Sequence, residues 1–288
     1  MKKTIYYLYV ILGAACWGLI GLFTRTLGEL GVGVFQRVTI RNLGALIVMT
    51  IVFALTRREI FRVKLRHLPL FMGRGLLRVP GMTLTHFLCQ QECSLAVAGI
   101  LLYLAPSFVV LMGAALWKAP ITKRKITALV LAFMGCVLVS GIMSGGLTIS
   151  ALGLAAGIAS GFCYATYTVF AHYVMDRYDS LTMTYWTFVF AGLGSLIFWD
   201  TGVMTAVFTS VPGILNALGL IVIATVLPYL LYTKGLEGVE SGKASIMANV
   251  EPVVGALVGV FVFGEVLSVW VILGVVCMLC GVILLAKE

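Results

Sequence analysis

The segment Ala98-Gly99-Ile100-Leu101-Leu102-Tyr103-Leu104-Ala105-Pro106 returns 146 positions later as Ala244-Ser245-Ile246-Met247-Ala248-Asn249-Val250-Glu251-Pro252. The same offset pairs Leu111 with Leu257, Gly113 with Gly259, Gly135 with Gly281 and Leu138 with Leu284. Nearer the start, Trp17 through Phe23 matches Tyr164 through Phe170 at an offset of 147. The chain reads as two copies of one unit, residues 1–146 and 147–288.

Each copy is built for lipid. Of 288 residues 61% are hydrophobic and only 11% charged, with a mean hydropathy of +1.09. A soluble domain carries roughly 25% charged residues, so most of this surface faces something apolar. Apolar runs of helical length fall at about 5–24, 34–56, 68–91, 94–116, 124–143, 151–174, 180–200, 211–233, 243–264 and 266–286. They predict an all-α integral membrane protein of ten transmembrane helices in two inverted five-helix repeats. The inversion follows from arithmetic: an odd number of spans per copy inserts the second copy upside down. Inverted repeats are a hallmark of secondary transporters.

Lys and Arg collect on alternate connections. Lys2 and Lys3 precede the first run, and Arg57, Arg58, Arg62, Lys64 and Arg66 fill the second connection. Lys118, Lys123, Arg124 and Lys125 lie between runs four and five, Arg177 between six and seven, Lys234 and Lys243 between eight and nine, and Lys287 near the end. The opposite connections hold Arg25 alone. The positive-inside rule then predicts both termini in the cytoplasm of a multi-pass protein of the cell (inner) membrane. It also accounts for the net charge of +9 without nucleic acid. The start of the chain reads as a retained first span rather than a cleaved signal. The seven cysteines sit in or beside apolar runs and read as small apolar residues.

The Trp17-Gly18 pair, Arg41, Leu104-Ala105-Pro106, Glu251-Pro252-Val253-Val254-Gly255, Gly264-Glu265 and the Gly274–Gly281 stretch resemble the ten-span EamA branch of the drug/metabolite transporter superfamily. The resemblance covers nearly the whole chain. It implies two five-helix bundles around a central cavity, and transport of amino acids or other small metabolites, as in the similar exporters of aromatic amino acids and metabolites. Two features depart from the family pattern. Lys118-Ala119-Pro120 replaces Gly-Glu after the fourth run, and Arg74 and Arg78 occupy the third.

Charges inside a bilayer cost about 2.5–3.5 kcal/mol each on insertion scales and persist where a cavity or partner receives them. Arg78 lies about 15 Å deep at 1.5 Å per residue, and Arg41 is intermediate. Both are candidates for a substrate carboxylate or phosphate, or for structural pairing with Glu92, Glu251 or helix-end carbonyls. Arg37 and Arg74 are close enough to run ends to snorkel. Glu251 precedes Pro252, where a lost backbone donor opens the helix. It is a candidate for an amino group or for a coupling proton. Pro106 and Pro252 are the expected hinges of equivalent helices. Asn249 and the aromatics Trp17, Tyr103, Tyr164, Tyr167, Tyr185, Trp186 and Tyr229 complete the substrate-binding candidates, with an interfacial role open for Tyr185 and Trp186. His86 is a second proton-coupling candidate. Its neighbour Cys89 gives an incomplete metal set, and the reading calls for no metal and no cofactor.

No GxxxxGK[ST] loop is present, which argues against ATP hydrolysis by this chain. The expected function is a secondary transporter of small metabolites, amino acids first, by alternating access around a mid-membrane cavity. A transporter of organic cations such as quaternary ammonium compounds is the alternative. A flippase for lipid-linked substrates, or an intramembrane enzyme built on His86, Cys89 and Glu92, competes more weakly. Glycines four apart (Gly153, Gly157, Gly161; Gly255, Gly259) fit internal packing or a dimer seam, so a monomer and a homodimer both stay open.

Overall fold

In a computed structural model, residues 2–76, 81–93, 95–140, 150–175, 177–264 and 268–286 are described. They form helices and connecting turns, with no strand among them. The first span is Lys2–Gly18 continued by Ile20–Glu29, and the second is Val34–Thr56. Leu68–Leu76 and Thr83–Glu92 belong to the third, Leu95–Leu102 and Ala105–Trp117 to the fourth, Lys123–Val139 to the fifth. The sixth is Ala151–Met175 and the seventh Ser180–Ser195. Val211–Leu218, a π-helical stretch Gly219–Val226 and Leu227–Leu236 make the eighth. The ninth is Ser241–Met247 with Val250–Phe263, and the tenth is Val269–Ala286. Among the described residues seven stretches are long and apolar enough to cross a membrane, and Val269–Leu285 is a shorter apolar helix. Large apolar side chains stand on the outer surface, among them Ile51, Leu55, Phe261 and Val269. A soluble protein would bury them. Here they meet lipid.

Contacts between spans obey a twofold rule. The first span packs on the eighth and ninth, and the sixth packs on the third and fourth. The second meets the eighth as the seventh meets the third. Second and seventh, fourth and ninth, fifth and tenth pair with their own counterparts. Each of these contacts therefore has a partner five spans on. The crossing of spans five and ten repeats the rule at atomic detail. A Cβ on Gly135 would stand 2.7 Å from the Gly274 carbonyl oxygen, and one on Gly281 would stand 3.1 Å from that of Ala128. Those two contacts are each other's image at the 146-residue offset. The glycines of the sixth span serve internal packing: Cβ atoms on Gly157 and Gly161 would strike Leu101.

The broken helices repeat as well. Span four breaks at Tyr103-Leu104 and span nine at Ala248-Asn249, within one residue of the 146-residue register. Proline occupies the first turn of the half-helix that follows, where a missing N–H costs nothing. Lys118 and Gly264, 146 apart, both cap their helices in the left-handed region, at φ 54° and φ 67°. Glycine adopts that conformation freely, whereas lysine is strained there.

Span boundaries differ from expectation in two places. The first span runs to Glu29 rather than ending near residue 24. The connection after the seventh contains a helix, Thr201–Thr209, started by Asp200, whose carboxylate accepts from the Val203 N–H at 3.0 Å. Met204 and Val207 of that helix are buried.

One ion pair ties the two halves together. Lys125 is 2% exposed; its Nζ donates to Glu240 Oε1 at 2.6 Å and to the Pro120 carbonyl at 2.8 Å. A cation in the first turn of a helix opposes the helix dipole, so this lysine depends on its acceptors.

Relief of the strained cap gives a direct check on the repeat. Lys118→Gly is expected to stabilise the protein by about 1 kcal/mol, read as a raised unfolding temperature in detergent micelles.

Candidate functional site

The two breaks face one another across the twofold. Around them spans one, four, six and nine, with Tyr232 of the eighth, enclose a cavity lined by Trp17, Tyr103, Pro106, Tyr164, Tyr167, Thr168, Ser245, Asn249 and Glu251. Its volume is ≈ 20 Å³, room for about one water molecule. This conformation is closed around the site.

The walls follow from local folding. Gly18 lets the first span approach the ninth, since a Cβ there would stand 2.6 Å from the Glu251 carbonyl oxygen and 2.5 Å from Val254 Cβ. That approach sets Trp17 against the opening of span nine. Trp17 is 3% exposed, and its ring packs edge-on against Tyr229 (centroids 5.1 Å) and tilted against Tyr232 (5.1 Å). Its buried indole N–H finds no acceptor among the described residues. Asn249 bridges the break beneath: its Nδ2 donates to the Ile246 carbonyl at 2.8 Å, an oxygen that also accepts from the Asn249 backbone N–H at 3.1 Å. The Cys136 thiol points at Asn249 Oδ1, 3.8 Å away. Glu251 sits in the first turn of Val250–Phe263, where the helix dipole favours a carboxylate. The Tyr164 hydroxyl donates to its Oε2 at 3.4 Å.

Seven residues singled out from the sequence thus meet in one hollow: Trp17, Tyr103, Pro106, Tyr164, Tyr167, Asn249 and Glu251. Pro252 follows directly in the same first turn. Tyr229 and Arg41 form a second layer. Arg41 Nη2 donates to the Tyr229 hydroxyl at 3.3 Å, and its guanidinium lies 5.8 Å from that ring's centroid. Arg41 lines a separate recess of ≈ 180 Å³ with Arg37 and Thr24. Arg37 donates to the Thr24 carbonyl at 2.6 Å and so ties span two to span one.

Other candidates lie elsewhere. Tyr185 and Trp186 are outside the cavity, toward the connection between spans two and three. Tyr185 packs on Phe53 and Phe61, and Trp186 Nε1 donates to the Ile60 carbonyl at 3.1 Å. Anchoring that connection suits the interfacial role of such residues. His86 also stays away from the cavity, 3.1 Å from the Gln90 amide nitrogen one turn on. Arg78 lies outside the described residues, as does Glu265. The polar lining residues Thr168, Tyr232 and Ser245 were not anticipated. Tyr232 and Thr168 hydrogen bond at 3.2 Å, and the one available signal was the placement of Tyr232 three residues after Tyr229, on the same helix face.

An inverted-repeat helical bundle with broken helices meeting at a closed cavity defines a membrane transporter. The model of the EamA-like transporter family matches residues 4–141 and again 151–287, and the chain belongs to that family, within the drug/metabolite transporter superfamily. It is 31% identical over 207 residues to an inner membrane transporter of Salmonella typhimurium, YicL (71% of this chain, 68% of that one). An Archaeoglobus fulgidus transporter is 30% identical over 201 residues, 69% of each chain. Bacillus subtilis YwfM, also described as a transporter, is 28% identical over 293 residues, covering 99% of this chain and 95% of that one. A solved crystal structure with 17% identity superposes with a TM-score of 0.76 over 97% of this chain and 95% of its own, which establishes the shared fold.

The close approach at Gly18 separates this geometry from a looser one. Gly18→Ala is expected to destabilise the protein by about 1–3 kcal/mol, whereas Gly21→Ala, three residues on and with nothing within 4 Å, is expected to leave stability unchanged or raise it. Thermal unfolding of the two variants side by side checks it.

Proposed function

We propose that the chain is a secondary transporter of small metabolites bearing an ammonium group, amino acids first among them, working by alternating access around the Glu251 cavity. One observation carries the reading: among the described lining residues there is one carboxylate, Glu251, set in an aromatic enclosure of Trp17, Tyr103, Tyr164 and Tyr167. Aromatic faces and a carboxylate attract a cation together. The repeat supplies the second half of the argument. Glu251 corresponds to Ala105, so the half-helix starting at Ala105 presents its positive end without a carboxylate of its own. Half-helix N-termini receive substrate carboxylates in other transporters. A zwitterion fits this pairing, with its ammonium on Glu251 and its carboxylate toward the Ala105 end.

The aromatic enclosure favours a second reading, transport of organic cations that carry no carboxylate. A thermal-shift screen with amino acids and choline-like cations separates the two, because a bound ligand stabilises the folded form by mass action. In either case Glu251, and not the remote His86, is the group to exchange a proton for solute. We place both termini in the cytoplasm, following the basic connections, and the boundary between repeats at 146–147, supported by the gap between the two matched regions.

Glu251→Gln keeps size and hydrogen bonding but removes the charge. It is expected to lower flux of the stabilising solute into proteoliposomes at least about a hundredfold, with unchanged insertion. Wild-type flux in this variant would remove Glu251 from the site.

A vestibule of ≈ 520 Å³ on the basic face, lined by Val109, Gly113, Trp117, Lys125, Glu240 and Gly242, ends one helical turn from the cavity. The Lys125–Glu240 pair spans the two repeats there. Its counterparts at the 146-residue offset are Val271 and Ser94, which form no ion pair. The pair therefore favours closure on the cytoplasmic side alone. In a background without native cysteines, Glu240→Gln is expected to speed labelling of Ser245→Cys from the cytoplasmic side. Equal rates with and without the pair would contradict the latch.

A further inference from the structure

On the same basic face, away from the cavity and the vestibule, lies a hollow of ≈ 620 Å³ lined by Arg62, Val63, Lys64, Arg66, His67, Arg177 and Tyr178. Its described lining holds four permanent cations and no carboxylate. Positive charge on a connection is sufficient to orient a span, but orientation requires no built shape. This one is built. The backbone is extended at Arg62 (φ −90°, ψ 101°) and at Lys64 (φ −74°, ψ 129°), two positions apart, which sets those two side chains on one side, and the short 3-10 turn Leu65–His67 brings Arg66 and His67 to the same hollow. The Tyr178 hydroxyl fastens the segment to the connection between spans six and seven, accepting from the Lys64 N–H at 3.0 Å and bonding His67 Nδ1 at 2.8 Å. Its ring packs on Phe71, whose side chain is fully buried. Between Lys64 and Arg66, Leu65 is 81% exposed. An apolar side chain held out beside a ring of cations, where spans two and three leave the membrane, suits the boundary between headgroups and acyl chains.

We infer that this hollow is a site for the phosphodiester headgroup of an anionic lipid, with Arg62, Lys64, Arg66 and Arg177 around the phosphate and Leu65 in the acyl region. Basic pockets at this level of a membrane protein bind such headgroups. The inference does not depend on Glu251 or on the solute carried, and its test uses both leaflets, so it is independent of the orientation proposed above. The field within the hollow is already felt at His67. Loss of hydration, and then Arg66, Arg177 and Lys64, hold its imidazole below the usual range. A bound phosphate would favour the imidazolium and move that titration upward.

The full chain in nanodiscs of phosphatidylcholine, with and without phosphatidylglycerol or cardiolipin, provides the test. Anionic lipid is expected to raise the His67 titration in the wild-type protein, followed by NMR against a His67→Gln control for assignment. In detergent, native mass spectrometry is expected to show cardiolipin retained by the wild type, and affinity reduced about a hundredfold in an Arg62→Gln/Arg66→Gln/Arg177→Gln variant at low salt. Retention that survives millimolar inorganic phosphate supports a lipid site. Displacement of the lipid by that phosphate, retention equal in wild type and variant, or a His67 titration indifferent to anionic lipid would each overturn the proposal. The wild-type titration decides the matter even if the triple variant fails to insert.

Discussion

A helix broken inside a bilayer exposes backbone groups that lipid cannot satisfy, so a break survives only where protein encloses it. Everything distinctive here follows from two such breaks. Pro106 and Pro252 begin half-helices whose missing N–H would have lacked a partner anyway. Asn249 donates both its side-chain amide and its backbone N–H to the Ile246 carbonyl at the end of Ser241–Met247. The breaks need cover, and spans one and six give it. Gly18 brings Trp17 onto span nine, and Ala165, one position after the Trp17 counterpart Tyr164, packs with Ala105 and Val109 of span four. The cavity is thus a consequence of satisfying the backbone.

Symmetry builds the chamber, and departures from symmetry give it chemistry. The main span–span contacts map onto themselves under a twofold relation, down to Gly135 on Gly274 and Ala128 on Gly281. Where the copies differ, the two ends become unequal. Glu251 stands where the first copy has Ala105, and Asn249 where it has Tyr103. One half-helix end is therefore acidic and the other is not. The pair of Lys125 with Glu240 has no image at the 146-residue offset, where Val271 and Ser94 stand, so the two ends of the bundle are held together unequally.

Much of this was legible in the sequence. The 146-residue echo ending in proline located both breaks to within two residues, because the same backbone problem recurs and is answered with the same residue types. Trp17, Tyr103, Tyr164 and Glu251 converge because repeat-equivalent positions face one axis. Depth along a span was a weaker guide. Tyr185 and Trp186 have the composition of a binding wall but rotate toward Phe61 and Ile60, since amphipathic rings suit an interface as well as a cavity. Arg41 lies at a fitting depth on a face that meets Tyr229 instead of the hollow, and a single helix pattern without its neighbours does not fix that rotation. The helix Thr201–Thr209 was invisible as a span because it is too short to cross, though Asp200 is a fair start signal.

The central claim is that the hollow between the two breaks grips a solute by its ammonium group. The most direct measurement is an experimental structure at saturating concentration of whichever solute protects the protein best against heat. The account predicts solute nitrogen within hydrogen-bonding distance of the Glu251 carboxylate and against the Trp17 ring, with the Ala105 end facing any carboxylate. Solute lodged in the Arg41 recess or the Lys125 vestibule, with Glu251 still bound to Tyr164, would contradict it.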